Sequence, residues 1–272
     1  MKKLALALLT TTAAFTGSAF AADLPMKAPA PYAAPAPAFS WTGCYIGGGF
    51  GYGMWNQETT GFEGGQLITP TQTGGGRGWF GTVGGGCDYQ FNLGIGIPSI
   101  NTMVIGALAD GDWGSLKGTT HISDGVAQFG TEKLTSQWDV GGRIGWLVTP
   151  MVLTYFSGGY TEARFNQVNL LPEFGLLGQP VSGLALPAHT YHGWFLGSGL
   201  EYTTNWLPGL FWKTEYRVSE FSKDRLSEVC VVSTTCGTGP TGIAVDSQKW
   251  VQTIRTELVY RFNWGGPVVA RY

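Results

Sequence analysis

The chain is poor in charged residues: only 12% of its 272 residues are Asp, Glu, Lys or Arg, about half the share of an average soluble domain. Beyond its first two dozen positions it lacks an apolar run of ~18 residues, which excludes a mature helical membrane protein. Its 43 glycines lack the Gly-X-Y period of collagen. Aromatic residues make up 14% of the chain, which excludes an intrinsically disordered protein. What remains is a class of proteins rich in glycine and aromatic residues.

Signals for catalysis are also scarce. Of the three histidines, His121 is predicted to lie in a loop, and His189 and His192 have opposite parity at a strand start, which disfavours a shared metal site. There is no Cys-x-x-Cys pair and no serine-centred elbow. Asp110 and Asp112 share a strand face and could contact a divalent cation, but the pattern favours a solvated strand end. We therefore expect no catalytic residue, no cofactor and no metal site.

The amino-terminal segment predicts export from the cytoplasm. Residues 1–21 begin with two lysines after Met, continue with an apolar core and end in a small-x-small motif, as a cleaved signal peptide does. Residues 22–40 alternate Ala and Pro, which predicts a semi-extended periplasmic linker. We predict one domain over 41–262 and a C-terminal extension over 263–272. The mild net charge of −2 argues against a nucleic-acid partner.

Alternation with a period of two fills the predicted domain. Toward its end, even positions are mostly apolar, whereas odd positions include Arg255, Glu257 and Arg261. Such alternation is typical of a strand that lies between two different environments. Eight segments show it, the third and fifth less regularly: Trp41–Trp55, Arg77–Phe91, Asn101–Trp113, Leu134–Val148, Met151–Ala163, His189–Thr204, Leu210–Phe221 and Trp250–Phe262.

The connections between these segments alternate in length. Short turns on one side and long loops on the other are typical of an outer-membrane barrel whose turns are periplasmic. The short connections are 92–100, 149–151 and 205–208, and the long ones lie near 56–76, 114–133, 164–188 and 222–247.

Aromatic residues on the outward faces gather at two levels, as the two interfaces of a membrane require. A soluble β-sandwich also alternates, but it needs neither aromatic belts nor long loops on one side only. We therefore predict an all-β fold, an eight-stranded antiparallel transmembrane β-barrel with short periplasmic turns and four long extracellular loops. The predicted belts are Trp79, Trp138, Trp194 and Trp250 toward the loops, and Tyr89, Trp146, Tyr202 and Tyr260 toward the turns.

The inward face of the predicted barrel carries charges of both signs. The interior of an eight-stranded barrel is just wide enough to be filled by side chains, and unpaired charges there would be costly. We therefore predict a lumen filled by ion pairs, with inward glycines leaving room for the long side chains. A narrow or gated water path is the alternative. The predicted ion-pair residues are Arg143, Glu201, Lys213, Glu215, Arg217, Arg255, Glu257 and Arg261.

The four cysteines predict two disulfides, because the periplasm is oxidising. If the first two predicted strands pair along their full lengths, Cys44 and Cys87 lie nearly opposite each other on one face. Cys230 and Cys236 would close a short loop within the fourth long connection. The predicted bridges are Cys44–Cys87 and Cys230–Cys236.

Several short motifs together resemble a known family. They are Trp41-Thr42-Gly43-x-Tyr45-x-Gly47-Gly48, Gly141-Gly142-Arg143-Ile144-Gly145, Tyr155…Gly158-Gly159, Gly193-Trp194…Glu201-Tyr202, Glu215-Tyr216-Arg217 and Leu258-Val259-Tyr260-Arg261-Phe262. Over nearly its whole length the chain resembles the small outer-membrane β-barrel proteins of alphaproteobacteria, known as porin-family or immunogenic surface proteins. The resemblance implies a fold similar to the outer-membrane protein A barrel, a structural role in the envelope, porin activity in some members and no enzyme chemistry.

The expected function is that of an integral protein of the Gram-negative outer membrane, with a structural and surface role and no catalytic activity. Its expected partners are outer-membrane lipid and lipopolysaccharide, and the barrel-assembly machinery during biogenesis; a homo-oligomer is left open. The alternative function is a narrow porin for passive transport of small solutes. A lipid-modifying enzyme is a further alternative. It needs an outward Ser–His pair near the loops, for which His192 is the one candidate.

Overall fold

A computed structural model describes most of the predicted barrel. The predicted signal peptide, the C-terminal extension and all of the predicted linker except Ser40 lie outside the described residues. In the part of the chain that is described, no helix is both long and apolar enough to span a membrane. The described ranges are 40–94, 101–123, 127–172, 183–204, 206–231 and 236–262.

The fold is all-β and antiparallel, as predicted, and eight of its strands form a closed ring. Pairing runs in the order β1, β2, β3, β4, β5, β9, β10 and β12, and β12 pairs back with β1. Closure leaves the ring with no open sheet edge. The strands are β1 Gly43–Glu63, β2 Gln66–Asn92, β3 Thr102–Ser123, β4 Ala127–Thr149, β5 Val152–Phe165, β6 Val168–Asn169, β7 Leu171–Pro172, β8 Leu184–Leu186, β9 His189–Thr203, β10 Leu210–Phe221, β11 Asp224–Cys230 and β12 Gly239–Phe262.

The ring is strongly staggered. A path from Cys44 through directly opposite residues of each strand reaches Gln252 of β12, which pairs with Met54 instead of Cys44. One circuit therefore advances the register by ten residues along β1. A stagger of this kind tilts the strands relative to the axis of the ring.

The ring is apolar outside and polar inside. On β12 the side chains of Ile254 and Leu258 are exposed, whereas Arg255, Glu257 and Arg261 are buried. A soluble sandwich would bury the apolar face, so this pattern contradicts the sandwich alternative. It is the arrangement expected of strands surrounded by lipid.

The long connections differ most from the prediction. The loop prediction for 56–76 is wrong, because β1 and β2 continue to a two-residue turn at Gly64 and Gly65, whose φ angles of 55° and 86° suit such a hairpin. The second long connection likewise extends β3 and β4. Residues 164–188 include β6, β7 and β8, and residues 222–247 include β11 and the start of β12. The first two stretches are rich in glycine and threonine, and all four lack the alternation of apolar with charged residues that identified the other strands.

The ring has two ends, and three of its strands stop short of one of them. We call the end with the Gly64–Gly65 turn the loop side and the end with the short turn after β4 the turn side. Toward the loop side β5, β9 and β10 are shorter than the other strands of the ring. The short strands continue the sheet beyond them: β11 pairs with β12, β8 with β11, and β6 with β8. β7 pairs with β4. The wall thus continues beyond the shorter strands.

The interior is filled by two kinds of side chain. Toward the turn side, charged residues are interleaved with Trp41, Tyr45, Tyr155, Phe211 and other apolar residues. Toward the loop side lies a cluster that we call the apolar plug. It consists of Trp55, Phe80, Leu116, Ile122, Leu134, Ala163, Phe165, Val168, Leu170, Leu186, Tyr191, Phe221, Leu226, Val245 and Val251.

Candidate functional site

The charged part of the lumen, here called the charged layer, contains all eight predicted ion-pair residues. Every one of them points inward and is no more than 4% exposed. They come from β4, β9, β10 and β12, so four strands of the ring supply one buried network.

The cluster nearest the turn side alternates two cations with two carboxylates. Arg143 donates from Nε to Asp88 Oδ1 at 2.9 Å and from Nη1 to Glu201 Oε2 at 3.0 Å. Arg261 contacts the same two carboxylates, from Nε to Glu201 Oε1 at 2.8 Å and from Nη1 to Asp88 Oδ2 at 2.7 Å. The Arg143 guanidinium also lies 4.5 Å from the centroid of the Tyr45 ring, which adds a cation–π contact. Each charge in this cluster therefore has at least two partners of opposite sign.

Glu215 is linked to this cluster through Tyr155, whose hydroxyl donates to Glu215 Oε2 at 3.2 Å and whose ring centroid lies 5.0 Å from the Arg143 guanidinium. It accepts hydrogen bonds from Arg217 Nη2 at 2.9 Å and from Ser157 Oγ at 2.7 Å. Lys213 Nζ lies 3.5 Å from Glu215 and 3.0 Å from Glu257. A Cβ added at inward-facing Gly197 would lie 2.6 Å from Glu215 Oε1, so this glycine leaves room for the carboxylate.

Three aspartates surround the guanidinium groups of Arg217 and Arg255. Arg217 Nη1 donates to Asp139 at 2.6 Å and to Asp110 at 2.9 Å. Arg255 Nη2 donates to Asp112 at 2.9 Å, and Arg255 Nη1 also bonds to Asp110. Carboxylate oxygens of the three aspartates lie within 4.8 Å of one another, but the two guanidinium groups already bond to them. The aspartates therefore act as counter-ions to arginine.

This arrangement corrects the interpretation of Asp110 and Asp112 as a solvated strand end. Both are buried, because β3 continues to Ser123 and places them at the middle of the barrel. Asp88 and Asp139 also belong to the network, although neither was predicted to do so from the sequence. A signal was present, since both share the inward parity of the neighbouring glycines or of Arg143.

The charged layer leaves little free space. Beside Asp112 and Thr253 lies a cavity of about 10 Å³, which is room for about one water molecule. Asp112 Oδ1 and Thr253 Oγ1 have no hydrogen-bond partner within the described ranges. A single bridging water would fit the chemistry of that cavity.

The apolar plug contains one buried ion pair. The side chain of Lys249 is 1% exposed. Its Nζ donates a hydrogen bond to Glu132 Oε1 at 2.7 Å and another to Gln57. Its Nζ lies 4.5 Å from the Phe165 ring centroid and 4.9 Å from that of Tyr191. Burial lowers the pKa of Lys249, whereas the Glu132 carboxylate opposes that effect. The ammonium group is thus enclosed by one carboxylate, one amide and a set of aromatic faces.

The histidines are dispersed. His121 lies within β3 and not in a loop, so that prediction is wrong. His192 faces outward, with Nδ1 2.5 Å from Tyr160 Oη and 3.4 Å from Glu162. His189 Nε2 lies 2.9 Å from Asp224 Oδ2. In the described part of the chain, no serine hydroxyl is hydrogen-bonded to His192.

The cysteines lie in two pairs. Cys44 and Cys87 are directly opposite residues of β1 and β2, with Cα atoms 3.9 Å apart and the sulfur atoms joined. Cys230 is the last residue of β11, and its sulfur atom is joined to that of Cys236, which precedes β12 in the chain. The first pair ties the first hairpin near the turn side, and the second lies in the wall of the loop side.

Two comparisons find similar proteins. The 31 kDa outer-membrane immunogenic protein of Brucella melitensis is 30% identical over 270 residues, which cover 94% of this chain and 98% of the relative. The protein of the same name from Brucella suis matches with the same values. The crystal structure of the outer membrane protein OprG from Pseudomonas aeruginosa matches with a TM-score of 0.55 at 12% identity, over 81% of this chain and 97% of that chain. At that identity the likeness shows the fold alone. No family model matches the chain.

Proposed function

The chain belongs to the family of the 31 kDa outer-membrane immunogenic proteins and is an outer-membrane β-barrel protein, and from this premise we propose that it is a closed, non-catalytic barrel. Its role is structural, in the integrity of the envelope and in contacts at the cell surface. The turn side faces the periplasm, and the loop side extends from the cell surface. The barrel-assembly machinery inserts it.

The outer surface supports this orientation. Between two levels of exposed aromatic residues most outward positions are apolar, as with Ile46, Phe50 and Leu196. Such a band, about 25 Å tall with an aromatic girdle at each edge, is typical of outer-membrane barrels. The extended hairpins all lie at the loop side, which is the side that projects from the cell in such barrels.

A filled lumen is the observation that carries the proposal of a closed barrel. A solute entering from the loop side meets the apolar plug first and then the charged layer. Arg217 and Glu215 are fully buried. Arg217 reaches across the lumen to Asp110 on β3 and Asp139 on β4, and Glu215 accepts a hydrogen bond from Ser157 on β5. Displacing them would leave buried charges unpaired, which is costly.

Conductance across a planar lipid bilayer tests the closed lumen. We expect the folded protein to give no discrete, reproducible current steps, in a bilayer where an established porin does give them. Each preparation is shown to be folded by its mobility shift on boiling in a denaturing gel. Reproducible steps that disappear after boiling would establish the narrow-porin alternative instead.

The orientation is tested with an epitope inserted between Gly64 and Gly65. An antibody should label intact cells that carry this insertion. A matched insertion after Pro150, in the short turn between β4 and β5, should be labelled only after the outer membrane is permeabilised. Labelling with the reverse pattern would show that the barrel is inserted the other way round.

The non-catalytic part of the proposal is tested on lipid A. The surroundings of His192 offer a tyrosine and a glutamate but no serine hydroxyl among the described contacts. We expect lipid A from an overproducing strain to have an unchanged mass spectrum. A new acylated or deacylated species that disappears in the His192→Ala variant would contradict this.

A further inference from the structure

Four cations form a row on the outer wall of the barrel. They lie on four successive strands of the ring, and we call them the basic patch. Arg77 pairs directly with Lys117 across β2 and β3, and Lys117 pairs directly with Lys133 across β3 and β4. Arg164 on β5 adjoins them, since the next residue but one, Asn166, donates its backbone N–H to the Lys133 carbonyl at 3.0 Å. Arg77, Lys117 and Arg164 are exposed, and Lys133 is half-buried.

The basic patch lies just beyond the aromatic belt of the loop side. On each strand the cation follows an outward aromatic residue by two to five positions toward the loop side. That separation corresponds to ~5–12 Å along the barrel axis, because the strands are tilted by about 40°. Because aromatic belts mark the membrane interface, the patch lies at the level of the lipid headgroups. The pairs are Trp79 with Arg77, Trp113 with Lys117, Trp138 with Lys133 and Tyr160 with Arg164.

The four cations have no counter-ions in the described structure. None of them forms an ion pair with any described carboxylate, whereas Arg225, on β11, is paired with Asp246. Like charges directly opposite each other on neighbouring strands destabilise a sheet. An anion from outside the protein would offset this repulsion.

The patch is confined to one side of the barrel. On the other side, the described parts of β9, β10, β12 and β1 present no lysine or arginine on their outward faces. At the corresponding level they present His192, Glu220, Gln248 and Glu58 instead. The asymmetry favours a discrete binding surface over a uniform distribution of charge.

We propose that the basic patch binds the phosphate groups of lipid A in the outer leaflet. Arg and Lys are the side chains that recognise phosphate, and neighbouring strands are about 4.8 Å apart. Four strands therefore present cations over ~15 Å, enough to contact more than one phosphate of a single lipid. The site rests on the orientation proposed above, because it requires the loop side to lie in the leaflet that contains this lipid.

The test is a titration of the folded protein in detergent micelles with diphosphorylated lipid A, followed by native mass spectrometry of the bound lipid. The same lipid A with both phosphates removed is titrated in parallel. The patch variant is Lys117→Gln with Lys133→Gln. The matched control, Lys223→Gln with Arg225→Gln, removes two exposed cations elsewhere on the loop side.

We expect the patch variant to bind diphosphorylated lipid A at least tenfold more weakly, since each basic residue near an anionic surface contributes a factor of about five. The control should stay within about twofold of the wild type, and the lipid without phosphates should bind equally weakly to all three. Unchanged affinity in the patch variant, or equal binding without phosphates, would overturn the proposal. Loss of binding through unfolding is distinguished by the mobility shift on boiling, which the patch variant should retain.

The two proposals can fail separately. A barrel inserted the other way round fails in the epitope experiment even if lipid A binds in micelles. A conducting barrel fails in the bilayer experiment and leaves the lipid titration unchanged.

Discussion

The charged layer and the apolar plug fill the same lumen with opposite chemistry. In the charged layer, arginines and carboxylates lie behind a wall whose outer face is apolar. In the plug, apolar side chains lie behind a wall whose outer face carries Asp246, Gln248 and other polar residues. The change occurs at the level of the aromatic belt on the loop side. The interior therefore becomes a conventional apolar core where the surroundings change from lipid to water.

One strand shows the whole change. Inward positions of β12 pass from Val245 and Val251 in the plug to Arg255 and Glu257 in the charged layer. Its outward positions pass from polar Asp246 to apolar Leu258 over the same distance. On the loop side the outer wall contacts water, so apolar side chains gain free energy when they leave water and enter the plug. In the membrane-spanning part the apolar side chains lie on the outer wall against lipid, and paired charges fill the lumen.

Removal of Arg217 should have the largest effect on stability. Arg217→Ala leaves Glu215, Asp110 and Asp139 with one partner fewer in a buried site. Breaking a buried pair costs about 3–5 kcal/mol, and three carboxylates share this guanidinium, so we expect the upper end of that range. The measurement is urea-induced unfolding in lipid vesicles. Arg217→Lys should lose less, and equal losses for the two variants would show that charge in this layer contributes little.

The plug is tested with two phenylalanines of β5. Phe165 lies in the plug, whereas Phe156 is 56% exposed on the outer wall. We expect Phe165→Ala to cost about 3 kcal/mol, as cavity-forming substitutions do, and Phe156→Ala to cost much less. Thermal denaturation of both variants in the same detergent measures the difference. Equal costs would mean that the plug does not stabilise the protein as an apolar core.

The ion pair inside the plug should behave as a unit. Lys249→Met alone leaves the buried Glu132 carboxylate without its cation and with a hydrogen bond from Thr120, whereas Lys249→Met with Glu132→Gln removes both charges. Because replacing a whole buried pair is often nearly neutral, the double variant should recover at least half of the ~3 kcal/mol lost by the single one, which is the lower end of the cost of breaking a buried pair. A double-mutant cycle of thermal midpoints measures the recovery. Strictly additive losses would contradict a direct interaction between the two side chains.

The sequence predicts the charged layer much better than the plug, for a physical reason. Alternation of Leu258 with Glu257 and Arg255 is a strong period-two signal because the two faces differ completely. Near Gly74 and Thr73 the two faces of β2 differ less, because the outer face contacts water and the inner face is covered partly by side chains from strands that are distant in sequence. The partners of Lys249 are separated from it by more than a hundred residues, so no local pattern indicates them. Asp88 and Asp139 had a parity signal but were obscured by glycine-rich surroundings, whereas Asp110 and Asp112 were misinterpreted because the predicted third strand ended at Trp113.

The smallest effect is expected outside both regions, at the exposed pair of Arg225 and Asp246. Arg225 Nη2 donates to Asp246 Oδ2 at 3.0 Å, and this bond holds the pKa of the Asp246 carboxyl below its ordinary value. A carboxylate whose pKa is lowered by folding contributes stability above its unfolded pKa and loses it as the pH falls through the folded pKa. Asp246→Asn should therefore lower Tm by at most about 2 °C at pH 7, and this difference should shrink as the pH falls below the unfolded pKa of Asp246. A larger loss, comparable with that of Arg217→Ala, would show that this exposed ion pair stabilises the protein as much as the buried ion pairs of the charged layer do. The difference in burial between the two regions would then have no effect on stability.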